Sequence, residues 1–282
     1  MDMQVRNLTA HLNHCRETKS CVLATNFYNY ETLSGILQAA SQARQPVILQ
    51  LTEGSIRYMG LQMAVSMART GLKAYDVKGW IHLDHGRNAE LIRQCLDAGF
   101  DSVMIDASEQ PFDKNISITR DIVRLAENYK VNVEAELGYV QKPGSTYDDL
   151  AFTDPGEARL FVEETGVSSL AVAIGSAHGF YKKPPELDID RLALISSLTK
   201  IPLVLHGGSG IADQALLEAI ENGICKINLA TEIKNTFMQR VKHDTGSNTD
   251  IDLRNIFPPA IEAVKNLIFK KLKVICEGEM IV

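Results

Sequence analysis

The sequence predicts an α/β fold, a single (β/α)8 TIM barrel with a C-terminal helical extension. Three observations carry that expectation. Eight short, β-branched runs recur along the 282 residues. Amphipathic stretches with apolar residues at three- and four-residue intervals separate them. No dinucleotide-binding glycine fingerprint accompanies the alternation. An open, doubly wound sheet would also alternate strands and helices, but eight near-even units are what barrel closure needs.

In chain order, SCVLATN opens the series and leads into the helical pattern ETLSGILQAASQAR, and Pro46 then opens the second strand run, PVILQL. WIHLD is followed by NAELIRQCLDAGF, with Gly99 at its end, and SVMIDA by ISITRDIVRLAENY. VNVEAE is followed by DPGEARLFVEETG, with Gly166 as the stop signal. SLAVAI comes next; Pro202 opens PLVLH, and ADQALLEAIENG ends at Gly223 before ICKINL. Residues 244–256 (DTGSNTDIDLRNI) are polar and expected to form a loop, and PPAIEAVKNLIFKKLKVI reads as an amphipathic helix started by Pro258 and Pro259. That helix either covers the barrel or makes a subunit contact. One domain is expected over 1–282, with the loop and helix at about 244–276.

Composition excludes several function classes. With 29 basic against 35 acidic residues and a net charge of −6, no basic stripe exists to neutralise nucleic-acid phosphates. The five cysteines (Cys15, Cys21, Cys95, Cys225 and Cys276) form no CxxC pair and sit in apolar surroundings, which fits reduced thiols in a cytoplasmic protein. MDMQVRNLTAHLNH lacks the apolar core of a secretory signal, and no run approaches the roughly 20 apolar residues of a membrane span. No nucleic-acid or membrane partner is expected.

In a barrel of this kind, catalytic residues project from the C-terminal strand ends. Asn26, Thr52, Asp84, His85, Asp106, Glu136, His178, His206 and Asn228 fall there. His85, His178 and His206, three of seven histidines, close the runs IHLDH, SLAVAIGSAH and IPLVLH. Three imidazoles with an open fourth position are a usual catalytic zinc site. Taken singly, each could merely finish a buried strand; together, with Asp84, Gly179 and Gly207-Gly208-Ser209-Gly210 beside them, they point to one Zn²⁺. His11, His14, His82 and His243 lack such neighbours.

Zinc there could bind adjacent carbonyl and hydroxyl oxygens and stabilise an enediolate. Asp84 could move a hydroxyl proton, or simply orient a ligand histidine. HGGSG and KINLAT suggest an anion site, with glycine N–H groups and the hydroxyls of Ser209 and Thr231 near helix starts, although a glycine pair is also an ordinary tight turn. Asp106 and Glu136 could hold a second divalent or monovalent cation, or hydrogen-bond loop backbone. Lys226, in register parity with Asn228, is a rival nucleophile for Schiff-base chemistry.

Together LDH, AIGSAHGFYK, PLVLHGGSG and KINLATE resemble the class II, zinc-dependent ketose-bisphosphate aldolases, most closely the tagatose-bisphosphate branch, from about Asn26 to the C-terminal helix. The resemblance implies a lyase of carbohydrate metabolism or glycolysis. Such an enzyme reversibly cleaves tagatose or fructose 1,6-bisphosphate to dihydroxyacetone phosphate and glyceraldehyde 3-phosphate. It implies that His85, His178 and His206 hold the catalytic zinc and that Asp84 is the base in cleavage. Asp106 and Glu136 would match second-metal positions. Gly179, Gly207, Gly208, Ser209, Asn228, Leu229, Ala230 and Thr231 would match dihydroxyacetone-phosphate contacts, with Thr52 near the substrate. It also implies a homodimer or homotetramer.

Two departures bear on mechanism. After ELG the loop reads YVQKPGSTYDDLAF, without the family's glycine pair or mobile-loop Glu, which leaves Asp148 and Asp149 as the acidic candidates. MIDAS carries Ala107 where the family usually has glycine. The alternatives are an aldolase for another phosphorylated or modified ketose, a metal-dependent hydrolase or epimerase, or a barrel with weakened turnover acting as a metabolite-binding or assembly subunit.

Overall fold

The computed structural model describes residues 7–138, 140, 152–181, 185–246 and 249–276. Asp148 and Asp149 lie outside the described residues, as does the start of the N-terminal segment.

Eight parallel strands close into a barrel in sequence order. They are β1 (Val22–Asn26), β2 (Val47–Thr52), β3 (Gly79–Gly86), β4 (Ser102–Ile105), β5 (Asn132–Leu137), β6 (Ser169–Val172), β7 (Leu203–Leu205) and β8 (Ile224–Leu229). All eight coincide with the predicted runs. Closure is made by β1 against β8, with Ala24 opposite Asn228.

The helices before β5 are α1 (Leu8–Thr18), α2 (Tyr30–Ala43), α3 (Glu53–Met59), α4 (Leu61–Ala74), α5 (Ala89–Asp97) and α6 (Phe112–Glu127). Those after it are α7 (Pro155–Thr165), α8 (Ile189–Thr199), α9 (Asp213–Glu221), α10 (Thr231–Thr245), α11 (Leu253–Ile256) and α12 (Pro258–Ile275). Local chemistry sets their ends. Asn29 and Thr32 form a capping box on α2, and Asn88 caps α5 by accepting from Leu91 N at 2.8 Å. In α7 the N-cap is Asp154, Pro155 occupies the first turn and Gly166 takes the left-handed C-cap. The segment expected as loop at 244–256 is shorter than predicted, because α10 runs on to Thr245 and Asp252 caps the short α11.

Strand alternation sorts two interiors. Leu49, Ile81, Val103, Val133, Leu170, Leu203 and Ile227 join the helices in the main apolar core. At the N-terminal end of the barrel, Leu8, Leu12 and Cys15 of α1 pack with Val22, Ala24, Ile48 and Trp80, and His11 lies over the Trp80 ring at 4.7 Å. The middle of the barrel is polar: Gln50, His82, Ser102, Asn132, Glu134, Ser169 and Lys226 are all buried.

The C-terminal helix covers the barrel. α12 packs against α2, α10 and α9 and reaches β1, burying Ala260, Val264, Ile268, Leu272 and Ile275, whereas α10 buries only Ile233 and Phe237. A Cβ on Gly35 of α2 would stand 2.8 Å from Ile261 O and 2.9 Å from Val264 Cβ, so the two helices meet where a side chain is missing. Gly35→Leu is expected to cost about 1–3 kcal/mol by overpacking. In a chain of this size that lowers Tm by roughly 2–4 °C per kcal/mol. Thermal unfolding of the variant checks it.

Candidate active site

Two adjacent residues reach the same cavity because β3 is irregular at its end. Asp84 pairs in register with Thr52 of β2. In a regular strand His85 would then face the opposite side. Instead, the pairing of β3 with β4 shifts register between Leu83 and Gly86, and His85 adopts a positive φ of 53°. A bulge of this kind re-aims a side chain, at about 1–2 kcal/mol for a left-handed non-glycine residue. As a result Asp84 Oδ1 and His85 Nε2 lie 3.9 Å apart.

His178 comes from the loop after β6 and His206 from the residue after β7. Ring centroids are 5.0 Å apart for His85 and His178, 4.8 Å for His85 and His206, and 5.8 Å for His178 and His206. One nitrogen from each lies within 4.8 Å of the others, so the three could hold a metal ion. The second nitrogens of His85 and His206 support that use. His85 Nδ1 meets Asp106 Oδ2 at 2.9 Å, and His206 Nε2 meets Glu134 Oε1 at 2.9 Å. Carboxylates only accept, which places the ring hydrogens on those nitrogens and leaves a lone pair on His206 Nδ1 aimed at His85 Nε2, 3.2 Å away. A cation between these nitrogens satisfies both, so the donor set fits a metal.

Electrostatics agree. Burial lowers the His85 pKa, but Asp84, Asp106 and Glu136 outweigh it and carry it up to about 9. Burial and the charge on His85 push His206 well below its ordinary value. Burial, with Asp106 nearby, lifts Glu136 to about 7, and its Oε2 accepts no hydrogen bond while lying 3.4 Å from His206 Nδ1. Asp84 is raised by burial but more strongly lowered by His85, His206, Lys226 and the Asn26 hydrogen bond, so it is a carboxylate at neutral pH. Asn26 Nδ2 donates to Asp84 Oδ2 at 2.9 Å and Asn228 Nδ2 to Oδ1 at 3.4 Å.

Compared with known families, the chain matches fructose-bisphosphate aldolase class-II over residues 6–279. It belongs to the class II aldolase family. It is 39% identical over 268 residues to the D-tagatose-1,6-bisphosphate aldolase subunit GatY of Klebsiella oxytoca, covering 92% of this chain and 93% of that protein. Among solved structures, the YdjI aldolase of Escherichia coli K12 superposes with a TM-score of 0.85 at 34% identity, covering 95% of this chain and 96% of that one. The fold also extends to the fructose-bisphosphate aldolase of Campylobacter jejuni, with a TM-score of 0.78, 22% identity and 95% and 93% coverage.

Asp106 accepts from Ser108 N at 3.3 Å and Ser108 Oγ at 2.7 Å as well as meeting His85, the loop-bonding role left open above. His85, Asp106 and Glu136 nonetheless form a second group able to hold a cation. Thr52 caps α3 by accepting from Ser55 N at 3.2 Å. Leu229 joins the outer apolar core, so only its backbone is left for a ligand, and Ala230 precedes the first turn of α10.

In the HGGSG loop, Gly208 N donates to Asn228 O at 3.0 Å and Gly210 N to Glu232 Oε1 at 2.6 Å. Among the described residues none accepts from the N–H groups of Gly207, Ser209 or Thr231, and Ser209 meets the positive end of α10, its Oγ accepting from Glu232 N at 3.2 Å. Gly207 has φ 70°, and a Cβ there would stand 2.3 Å from Ala177 O. Tyr181 Oη ties the loops together, accepting from Ala177 N and donating to Gly207 O, both at 2.8 Å.

Lys226 is not a free nucleophile. It is 1% exposed and its Nζ lies 2.7 Å from Glu134 Oε2. Neither Glu134 nor His82, the latter noted as lacking suitable neighbours, is among the residues expected at the site. Alternation was the available signal, since each lies two residues before a strand-end carboxylate on the same strand face.

His85 in the metal-free protein keeps its extra proton until about pH 9. Bound metal needs the nitrogen bare, so apparent affinity for added Zn²⁺ is expected to rise with pH and level off above about 9. Calorimetry in buffers of different ionisation enthalpy should show proton release on binding at pH 7.

Proposed function

We propose that this protein is a zinc-dependent aldolase that reversibly cleaves tagatose or fructose 1,6-bisphosphate to dihydroxyacetone phosphate and glyceraldehyde 3-phosphate. The observation that carries the reading is the convergence of His85 Nε2 and His206 Nδ1 at 3.2 Å, each ring backed by a carboxylate, beside an ionised Asp84. Family membership and the 39% identity to a protein named for D-tagatose-1,6-bisphosphate support it.

His85, His178 and His206 would hold the zinc, with Asp106 and Glu136 backing the site or taking a second cation. When bound, the metal supplies Lewis-acid stabilisation of negative charge developing on the ketose oxygens. Asp84 takes the proton from the hydroxyl on the carbon that becomes the aldehyde. The carbon–carbon bond then breaks, and its electron pair passes to the dihydroxyacetone-phosphate half. Asn26 and Asn228 hold the Asp84 carboxylate toward the cavity. Gly207, Ser209 and Thr231 bind the phosphate through backbone N–H groups, with Gly179, Gly208, Asn228, Leu229 and Ala230 forming the surrounding wall and Thr52 near the substrate. Carbon protonation falls to an acid such as Asp148 or Asp149. The unit would act as one barrel domain in a cytoplasmic homodimer or homotetramer.

The loop after Gly138, YVQKPGSTYDDLAF, lacks the family's glycine pair and Glu and favours one second reading: a barrel with weakened turnover that binds dihydroxyacetone phosphate as a metabolite-binding or assembly subunit.

Dihydroxyacetone-phosphate release from both bisphosphates, measured as purified, after chelation and after zinc is restored, separates these readings. Cleavage lost on chelation and regained with zinc is expected; binding without cleavage favours the second. Asp84→Ala is expected to lower kcat by about 10²–10⁴. Its zinc content should be unchanged, which metal analysis of the purified variant checks.

A further inference from the structure

Under the histidine cluster the barrel holds a continuous polar column. Lys226 Nζ donates to Glu134 Oε2 at 2.7 Å and to His82 Nε2 at 3.4 Å. With its amide turned so that the oxygen faces Lys226, Gln50 accepts from the same ammonium at 3.2 Å. His82 Nδ1 then donates to Ser102 Oγ at 2.8 Å, and Ser102 Oγ donates to Asn132 Oδ1 at 3.0 Å. The column ends at α1, where Asn132 Nδ2 donates to Thr9 Oγ1 at 3.3 Å. Every donor in it has one direction, because the ammonium at its top only donates.

Glu134 links this column to the site. Lys226 occupies Oε2, which leaves Oε1 for His206 Nε2 at 2.9 Å. We propose that Glu134 and Lys226 are positioning residues: as a pair they lock His206 in the Nε2–H tautomer, which turns the Nδ1 lone pair toward the metal position. Burial sharpens the effect. Glu134, Lys226 and His206 are each 0–1% exposed, so no water competes for the ring nitrogen or the carboxylate. The inference rests on reading His206 as a metal ligand.

The pair makes an unusual demand on a near-isosteric change. In Glu134→Gln, Lys226 still requires an acceptor and recruits the amide oxygen. The amide NH2 then faces His206 Nε2 and donates to it, which moves the ring hydrogen to Nδ1 and blocks that nitrogen. Removing the ammonium as well, in Glu134→Gln/Lys226→Met, frees the amide to turn its oxygen back to His206.

The experiment is a long-range proton–nitrogen correlation spectrum of His206 in metal-free full-length protein, with zinc affinity measured by chelator competition. Wild type is expected to show Nε2–H. E134Q is expected to show Nδ1–H and zinc binding weakened at least 10- to 100-fold. The double variant is expected to recover the wild-type tautomer and much of the affinity. An Nδ1–H tautomer in wild type would overturn the proposal, and needs no variant to fold. So would E134Q with wild-type tautomer and affinity, or a double variant that recovers neither. Wild-type protein that binds no zinc overturns the metal reading itself; equal zinc binding by wild type and E134Q overturns only the role of the pair.

Discussion

The Glu134 carboxylate is shared between an ammonium and an imidazole in a place water does not reach, and much of the barrel interior is arranged around that sharing. Lys226 meets one oxygen at 2.7 Å and His206 the other at 2.9 Å. Leaving either partner alone would strand a buried charge, which typically costs 3–5 kcal/mol. His82, Ser102, Asn132 and Gln50 therefore follow as the groups that satisfy the remaining donors and acceptors. A barrel interior filled by branched apolar residues would avoid this cost. Here that filling is confined to the N-terminal end, where α1 packs on Val22, Ile48 and Trp80.

Rigidity is supplied from outside the polar layer. Alternation sends the other strand residues into the helical shell, and α12 completes that shell against α2 and β1. The fold can then carry local strain where chemistry needs it. His85 at φ 53° and the register shift beside it are tolerated because Gly86 lets the chain pass Met104 O, where a Cβ would sit 2.6 Å away. Asp84 and His85, neighbours in sequence, thereby serve one cavity in different roles.

The charge balance of the site follows from the same arrangement. Asp84, Asp106, Glu134 and Glu136 lie beside His85, His206 and the buried Lys226. Without a metal, positive charge is drawn in as a proton on His85, raised to about 9, while Glu136 is held near 7. A cation at the histidine nitrogens answers the same deficit.

The eight strands, the C-terminal helix and the strand-end histidines are legible in the chain, because each is written in local periodicity or in a residue closing an apolar run. So is the placement of Asp84 and Asp106 at the site. Which partner each group is committed to follows only from the folded barrel. Lys226 and Glu134, 92 positions apart, become an ion pair only when β5 and β8 face each other across the closed barrel. Gly210 is drawn to Glu232 by a loop path that spacing does not encode, whereas Leu229 turns into the outer core on the face that alternation with Asn228 implies. The helix beyond Pro258 buries one face against α2, a partner that its own periodicity does not name.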